Sequence, residues 1–262
     1  MDSATPVFHP DMRAAEVPIW REALVGLDWL ALRSSPVFYG LGVSRGDGSA
    51  VVVVPGFLGS DLYLHELYCW LRRIGYRPFM SRIGRNADCL DVLTGRLLAT
   101  VEAAGAESGG RVHLVGHSLG GMLARSVAAR HPGRVASVAT LGSPFRGIRS
   151  HPLVLRATDV VRSRIQNERG GERPACYTGH CACQAVAGLR AGVPASVRQI
   201  AVFTRTDGIV DWRSCVTGAP ETDVEVPGTH VGLVFNATVY RRLAAHLARV
   251  DSAASPDRPA HR

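Results

Sequence analysis

Ser118 stands at the centre of Gly116-His117-Ser118-Leu119-Gly120, with a further glycine at 121. An apolar run, Val112-His113-Leu114-Val115, comes before it. Leu119, Met122, Leu123 and Val127 follow at helical spacing. Strand, tight turn and helix in that order lift a serine hydroxyl above the carboxyl edge of a sheet. The turn needs small residues on either side, and both are Gly. The new helix also aims its unpaired N–H groups at the same point, where negative charge would be welcome. The chemistry this predicts is nucleophilic attack by Ser118.

A hydroxyl attacks well only beside a base. The chain has ten histidines. His113 lies inside a strand, His117 sits in the turn with its side chain expected to aim away, His131 follows a helix and His246 lies within one. His9 and His261 lie near the termini. His230 follows Val226-Pro227-Gly228-Thr229 and precedes the last helix, which puts it on the carboxyl edge beside Ser118. A carboxylate must orient that imidazole. Asp207 and Asp211 both follow the strand ending near Thr204, and Asp207 is preferred because it opens the loop. Two backbone N–H groups should hold a developing oxyanion. Leu119, next to the nucleophile, supplies one. The other is expected from Pro55-Gly56-Phe57-Leu58-Gly59, with Phe57 first and Leu58 second. Leu58 and Met122 are the expected apolar wall of a substrate site.

These residues need a scaffold. Val51–Val54 is a short β-branched run, as in a parallel strand buried on both faces. Leu64, Leu67, Leu71 and Ile74 then mark a helix capped by Asp61, and Tyr76 to Ser81 a strand. Leu90, Leu93, Leu97 and Val101 mark a second helix. After the Ser118 unit come strands at 135–141 and 199–203, one more near 222–226, and a last helix capped by Asn236. The alternation predicts an α/β fold, a mostly parallel sheet with helices on both faces. Residues 145–195 break the rhythm and read as a cap or lid insertion. Residues 1–49 read as a helical lead-in packed through Ile19, Trp20, Leu24, Leu27, Leu30 and Leu32. The main domain is expected over 50–250 and an unstructured tail over 251–262.

Composition narrows the function. The formal charge is +8, and all 30 cations are Arg, since the chain contains no Lys. The arginines are scattered, without a run or an aromatic stripe, so a nucleic-acid surface is not read. Weak attraction to an anionic surface is the milder consequence. No secretory leader or membrane span is read, which predicts a cytoplasmic protein with reduced thiols. Cys176, Cys181 and Cys183 beside His180 raise a zinc site, but their spacing is not that of common structural zinc. A disulfide reaching Cys215 is the other reading of this loop. No metal and no cofactor are expected.

Taken together, Val54-Pro55-Gly56-Phe57-Leu58-Gly59, Gly116 to Gly121, Leu141-Gly142-Ser143-Pro144, Thr206-Asp207-Gly208-Ile209-Val210 and Gly228-Thr229-His230 resemble the α/β-hydrolase superfamily. The likeness runs over about residues 50–250 and is nearest to the bacterial esterase and triacylglycerol-lipase branch. It implies a Ser118–His230–Asp207 triad, an acyl-serine intermediate, and a small-molecule or lipid ester substrate met during transient contact with a lipid surface. Lipases of this branch usually carry His before the oxyanion-loop Gly, a side chain that braces the loop. Pro55 stands there instead. A thioesterase or acyltransferase would use the same triad, and a non-catalytic binding module could use the same fold.

Overall fold

The computed structural model describes residues 12–168 and 181–248. The chain opens with a short strand, β1 (Arg13–Ala14), a 3-10 turn (Ile19–Leu24) and α1 (Val25–Arg33). Alternation then sets in: β2 (Ala50–Val54), α2 (His65–Arg73), β3 (Arg77–Met80), α3 (Leu90–Ser108), β4 (Val112–His117), α4 (Leu119–Arg130) and β5 (Val135–Leu141). A two-residue strand, β6 (Arg149–Ser150), and two helices, α5 (Pro152–Glu168) and α6 (Gln184–Ala191), precede β7 (Arg198–Phe203), β8 (Asp223–Glu225) and α7 (Ala237–Leu247). Six strands pair in the order β3-β2-β4-β5-β7-β8, and every pair is parallel. β1 and β6 form a separate parallel pair.

The pleat explains the layering. Val52 and Val54 face one side with α3, α4 and α6, while Val51 and Val53 face the other with α2 and α7. All five residues of β2 are buried, which is why the run carries no polar residue. Each such valine contributes about 1.5–3 kcal/mol by leaving water. The chain runs from β2 outward to β3, then crosses back to β4 on the other side of β2. The loops after β2 and β4 therefore flank the point where strand order reverses, the crevice in which open α/β sheets hold ligands.

Three details depart from the sequence reading. The apolar stripe of the lead-in is not its buried face. Trp20 is 66% exposed, Leu27 64% and Leu30 56%, and of the named stripe only Leu32 is buried. Asp61 does not cap a helix; its carboxylate accepts from the Ser81 and Arg82 amides and the Ser81 hydroxyl, tying the end of β3 to the 3-10 turn Asp61–Leu64. Within 145–195, α6 is a crossover helix. Ala185, Val186 and Leu189 join the core that covers the sheet, and the Ser126 hydroxyl of α4 donates to the Ala185 carbonyl.

Asn236 caps α7 as expected, its Oδ1 accepting from the Thr238 and Val239 amides. Cys181, Cys183 and Cys215 are thiols without a disulfide. Cys176, His180 and the tail from 251 lie outside the described residues. Among the described residues, no group of three or more His, Cys, Asp or Glu could hold a metal, and no helix is long and apolar enough to cross a membrane.

Candidate active site

Ser118 occupies φ 52°, ψ −125°, a region that L-residues seldom visit, between the end of β4 and the start of α4. The glycines around it are a steric requirement. A Cβ on Gly116 would lie 2.5 Å from the Gly120 carbonyl oxygen, and one on Gly120 would lie 2.3 Å from that of Val54. One on Gly121 would lie 2.0 Å from the Ser143 hydroxyl. Ser143 itself is fully buried under the turn. The Ser118 amide donates to the Leu141 carbonyl at 2.8 Å, and the Gly121 amide donates back to the Ser118 carbonyl at 3.0 Å.

His230 and Asp207 meet behind it. His230 Nδ1 is 2.7 Å from Asp207 Oδ2. The other oxygen of Asp207 accepts from the Ile209 and Val210 amides, each at 2.8 Å. That fixes the carboxylate in the plane the imidazole needs. Both side chains are buried. Burial disfavours the imidazolium, yet the charge of Asp207, its hydrogen bond and the charge of Glu22 outweigh it and raise the His230 pKa above its usual 6.5. Asp211 has other work: it accepts from the Arg213 amide and pairs with Arg149 at 3.3 Å, joining the loop after β7 to β6. Gly142, with φ 56°, makes room for His230, since a Cβ there would lie 3.0 Å from His230 Nδ1.

The loop after β2 is braced by residues the sequence reading passed over. The buried Asn86 donates its side-chain amide to the Pro55 carbonyl at 2.7 Å and accepts the Leu58 amide at 2.9 Å. With its N–H committed there, Leu58 is removed as the second choice of oxyanion donor. The Gly56 amide donates to the Tyr63 hydroxyl at 2.6 Å, and that hydroxyl lies 2.8 Å from His117 Nδ1. His117 Nε2 lies 3.0 Å from the His230 carbonyl oxygen. A carbonyl only accepts, so Nε2 carries the proton, Nδ1 accepts, and Tyr63 donates. Burial first, and repulsion by His230 second, lower the His117 pKa to about 3, which keeps this tautomer neutral. His117 thus links the loop after β2 to the backbone of His230. Asn86, Tyr63 and His117 together brace the loop that begins at Pro55.

These groups open onto one cavity of about 420 Å³. Phe57, Leu58, Ser118, Leu119, Met122 and His230 all line it, so the structure gathers the sequence-selected residues around one space. Asp207 stands behind the imidazole. Leu153, Val154 and Ala157 of α5 form the wall opposite, and the lining is largely apolar. Met122 also belongs to the core that covers the sheet.

The α/β-hydrolase fold model matches residues 107–183, the stretch that contains the Ser118 turn. The chain has the α/β-hydrolase fold. Its sequence relatives include triacylglycerol lipases. A triacylglycerol lipase of Burkholderia plantarii is 33% identical over 148 residues, covering 51% of this chain and 41% of that one. The chain therefore spans less than half the length of this relative. Among solved structures, a metagenome-derived lipolytic enzyme superposes with a TM-score of 0.54 at 17% identity, covering 78% of this chain and 95% of that one. The monoglyceride lipase of Saccharomyces cerevisiae does so with a TM-score of 0.53 at 14% identity, covering 80% and 88%. At such identities the shared property is the α/β-hydrolase fold.

Proposed function

We propose that this α/β-hydrolase cleaves carboxylic esters with an apolar acyl group by two-step acyl transfer. The observation that carries the reading is the His230–Asp207 pair, 2.7 Å apart, opening with Ser118 onto one apolar cavity. His230 takes the Ser118 proton through Nε2 as Ser118 Oγ attacks the ester carbonyl carbon. Asp207 accepts a hydrogen bond from Nδ1–H throughout, which fixes the tautomer and stabilises the imidazolium. The N–H groups of Phe57 and Leu119 hold the tetrahedral oxyanion; each such donor is worth on the order of 3–4 kcal/mol in the transition state. His230 returns its proton to the leaving alcohol, which departs as the acyl-serine forms. Water, activated by the same imidazole, then attacks the acyl carbon and releases the acid.

Residues 149–168 act as the cap, because α5 brings Leu153 and Val154 over the space where an acyl chain would lie. The names of the relatives support lipid esters as the substrate class. The test is turnover of p-nitrophenyl esters of graded chain length by the wild type and Ser118→Ala. The expected result is hydrolysis by the wild type and a loss of at least about 10⁴-fold in the variant. Equal rates would overturn the proposal. A matching panel of thioesters and added alcohol acceptors separates ester hydrolysis from thioester cleavage and acyl transfer.

A further inference from the structure

The sheet alone does not hold Asp207 and His230 together. Each sits on its own loop, one after β7 and one after β8, and a third segment lies across both. Glu22, in the 3-10 turn Ile19–Leu24, places one carboxylate oxygen 2.9 Å from the Gly208 amide and 2.9 Å from the His230 amide. Its second oxygen accepts the Val231 amide at 3.0 Å. One carboxylate therefore takes three backbone N–H groups from residues 186, 208 and 209 positions away. Asp28 of α1 adds a second strut, accepting the Thr229 amide at 3.2 Å and its hydroxyl at 2.9 Å.

Close approach is written into the sequence at both struts. A Cβ on Gly208 would lie 2.8 Å from Glu22 Oε1, and one on Gly232 would lie 1.9 Å from Asp28 Oδ2. Apolar burial gives little reason for the segment to sit here. Trp20, Leu24, Leu27 and Leu30 all face solvent, and α1 buries only Leu32. The polar contacts to the two loops are what dock it.

We propose that Glu22 is a positioning residue for the acid–base pair. Its carboxylate ties the amide beside Asp207 to the amides of His230 and Val231, fixing the spacing across which the Asp207–His230 bond forms. It also sets a second anion near the imidazole that must become positive during the reaction. This rests on the roles given above to Asp207 and His230. The groups facing His230 are Asp207 from the loop after β7, Glu22 from the lead-in, and the neutral His117 with Ser118 from the turn after β4. Asp28 stands one residue away, on Thr229.

Glu22→Gln keeps the shape, removes the charge and turns one acceptor into a donor that faces an N–H. Rates are normalised to sites titrated with a fluorophosphonate, so that only competent protein is counted. The expected result is a fall in kcat of roughly tenfold to a hundredfold with KM little changed. The acidic limb of kcat/KM should also move to lower pH, by on the order of half a unit, because an imidazolium with one anion fewer loses its proton more readily. Glu22→Asp keeps the charge on a shorter arm; it should lose rate while its limb stays near that of the wild type. A Glu22→Gln enzyme with unchanged kcat and limb overturns the inference. So does a rate loss with an unmoved limb, the mark of a merely structural contact, and so does a Glu22→Asp limb that moves as far as that of Glu22→Gln. If the wild type neither labels nor hydrolyses esters, the functional reading fails and takes this inference with it. If the wild type labels and the variants match it, this inference alone fails.

Discussion

Ser118 and His230, the proposed nucleophile and base, are held by different kinds of structure. Ser118 is fixed by backbone: its amide bonds to Leu141, its carbonyl to Gly121, and glycines on both sides let chain pack on chain. His230 is fixed by side chains from elsewhere. Asp207 holds its ring, Glu22 its amide, and His117 its carbonyl. The first arrangement tolerates no added atom in the turn but is indifferent to distant side chains. The second can be tuned, or broken, from residues far away in the chain. A serine must stand at one strained angle, whereas an imidazole must change charge, and side chains carry charge.

The largest expected effects attack each half in its own currency. Asp207→Asn should lower kcat by about 10⁴-fold with the fold intact, because an amide presents the wrong partner to Nδ1. Steady-state kinetics beside a denaturant melt checks both parts. Gly120→Ala should do the reverse. Its Cβ would meet the Val54 carbonyl oxygen at 2.3 Å, so a stability loss of about 3 kcal/mol or more is expected in the denaturation midpoint. If Gly120→Ala melts like the wild type, the nucleophile is not held by packed backbone.

Tyr63→Phe addresses the link between the halves. It removes the acceptor of the Gly56 amide and the donor to His117, and should lower kcat roughly tenfold with little change in KM. A loss confined to KM would assign Tyr63 to substrate binding instead. For pH, the base acts only when neutral, so the acidic limb of kcat/KM is expected above 6.5, the usual histidine value that His230 exceeds. The linkage has the same sign. A pKa raised by folding means that the Asp207–His230 pairing stabilises the fold fully below the unfolded value, and that this is lost as pH rises through the folded one. Histidine-ring NMR titration reads both directly. The smallest effect is reserved for Leu27→Ser, at the exposed side of α1, which should change stability by no more than about 0.5 kcal/mol.

The same contrast decides what could be read without coordinates. The Ser118 turn is local: strand, glycines and helix are adjacent in sequence, so spacing alone locates it. The order Ser118, Asp207, His230 follows from strand alternation, and Asp207 could be preferred over Asp211 because it opens its loop. Glu22, Asp28 and Asn86 were not legible, since each acts on backbone far away, and Tyr63 was not, since its partner His117 lies far along the chain; none sits in a motif. The lead-in misled for a related reason. Leucines at helical spacing suggest a buried stripe, yet this segment docks through two carboxylates, and its apolar side chains face solvent. Gly208 and Gly232 were the available signal, glycines beside the acid and the base with no turn of their own to explain them. His117, expected to aim elsewhere, bridges Tyr63 and the His230 carbonyl and also lines the cavity.

The most direct measurement is covalent labelling by a fluorophosphonate, followed by peptide mass mapping. The expected result is one adduct per chain on Ser118, formed faster as pH rises through the His230 limb and absent after Ser118→Ala. An adduct on another residue, or no adduct while esters are still hydrolysed, would contradict the assignment of Ser118 as nucleophile and His230 as its base.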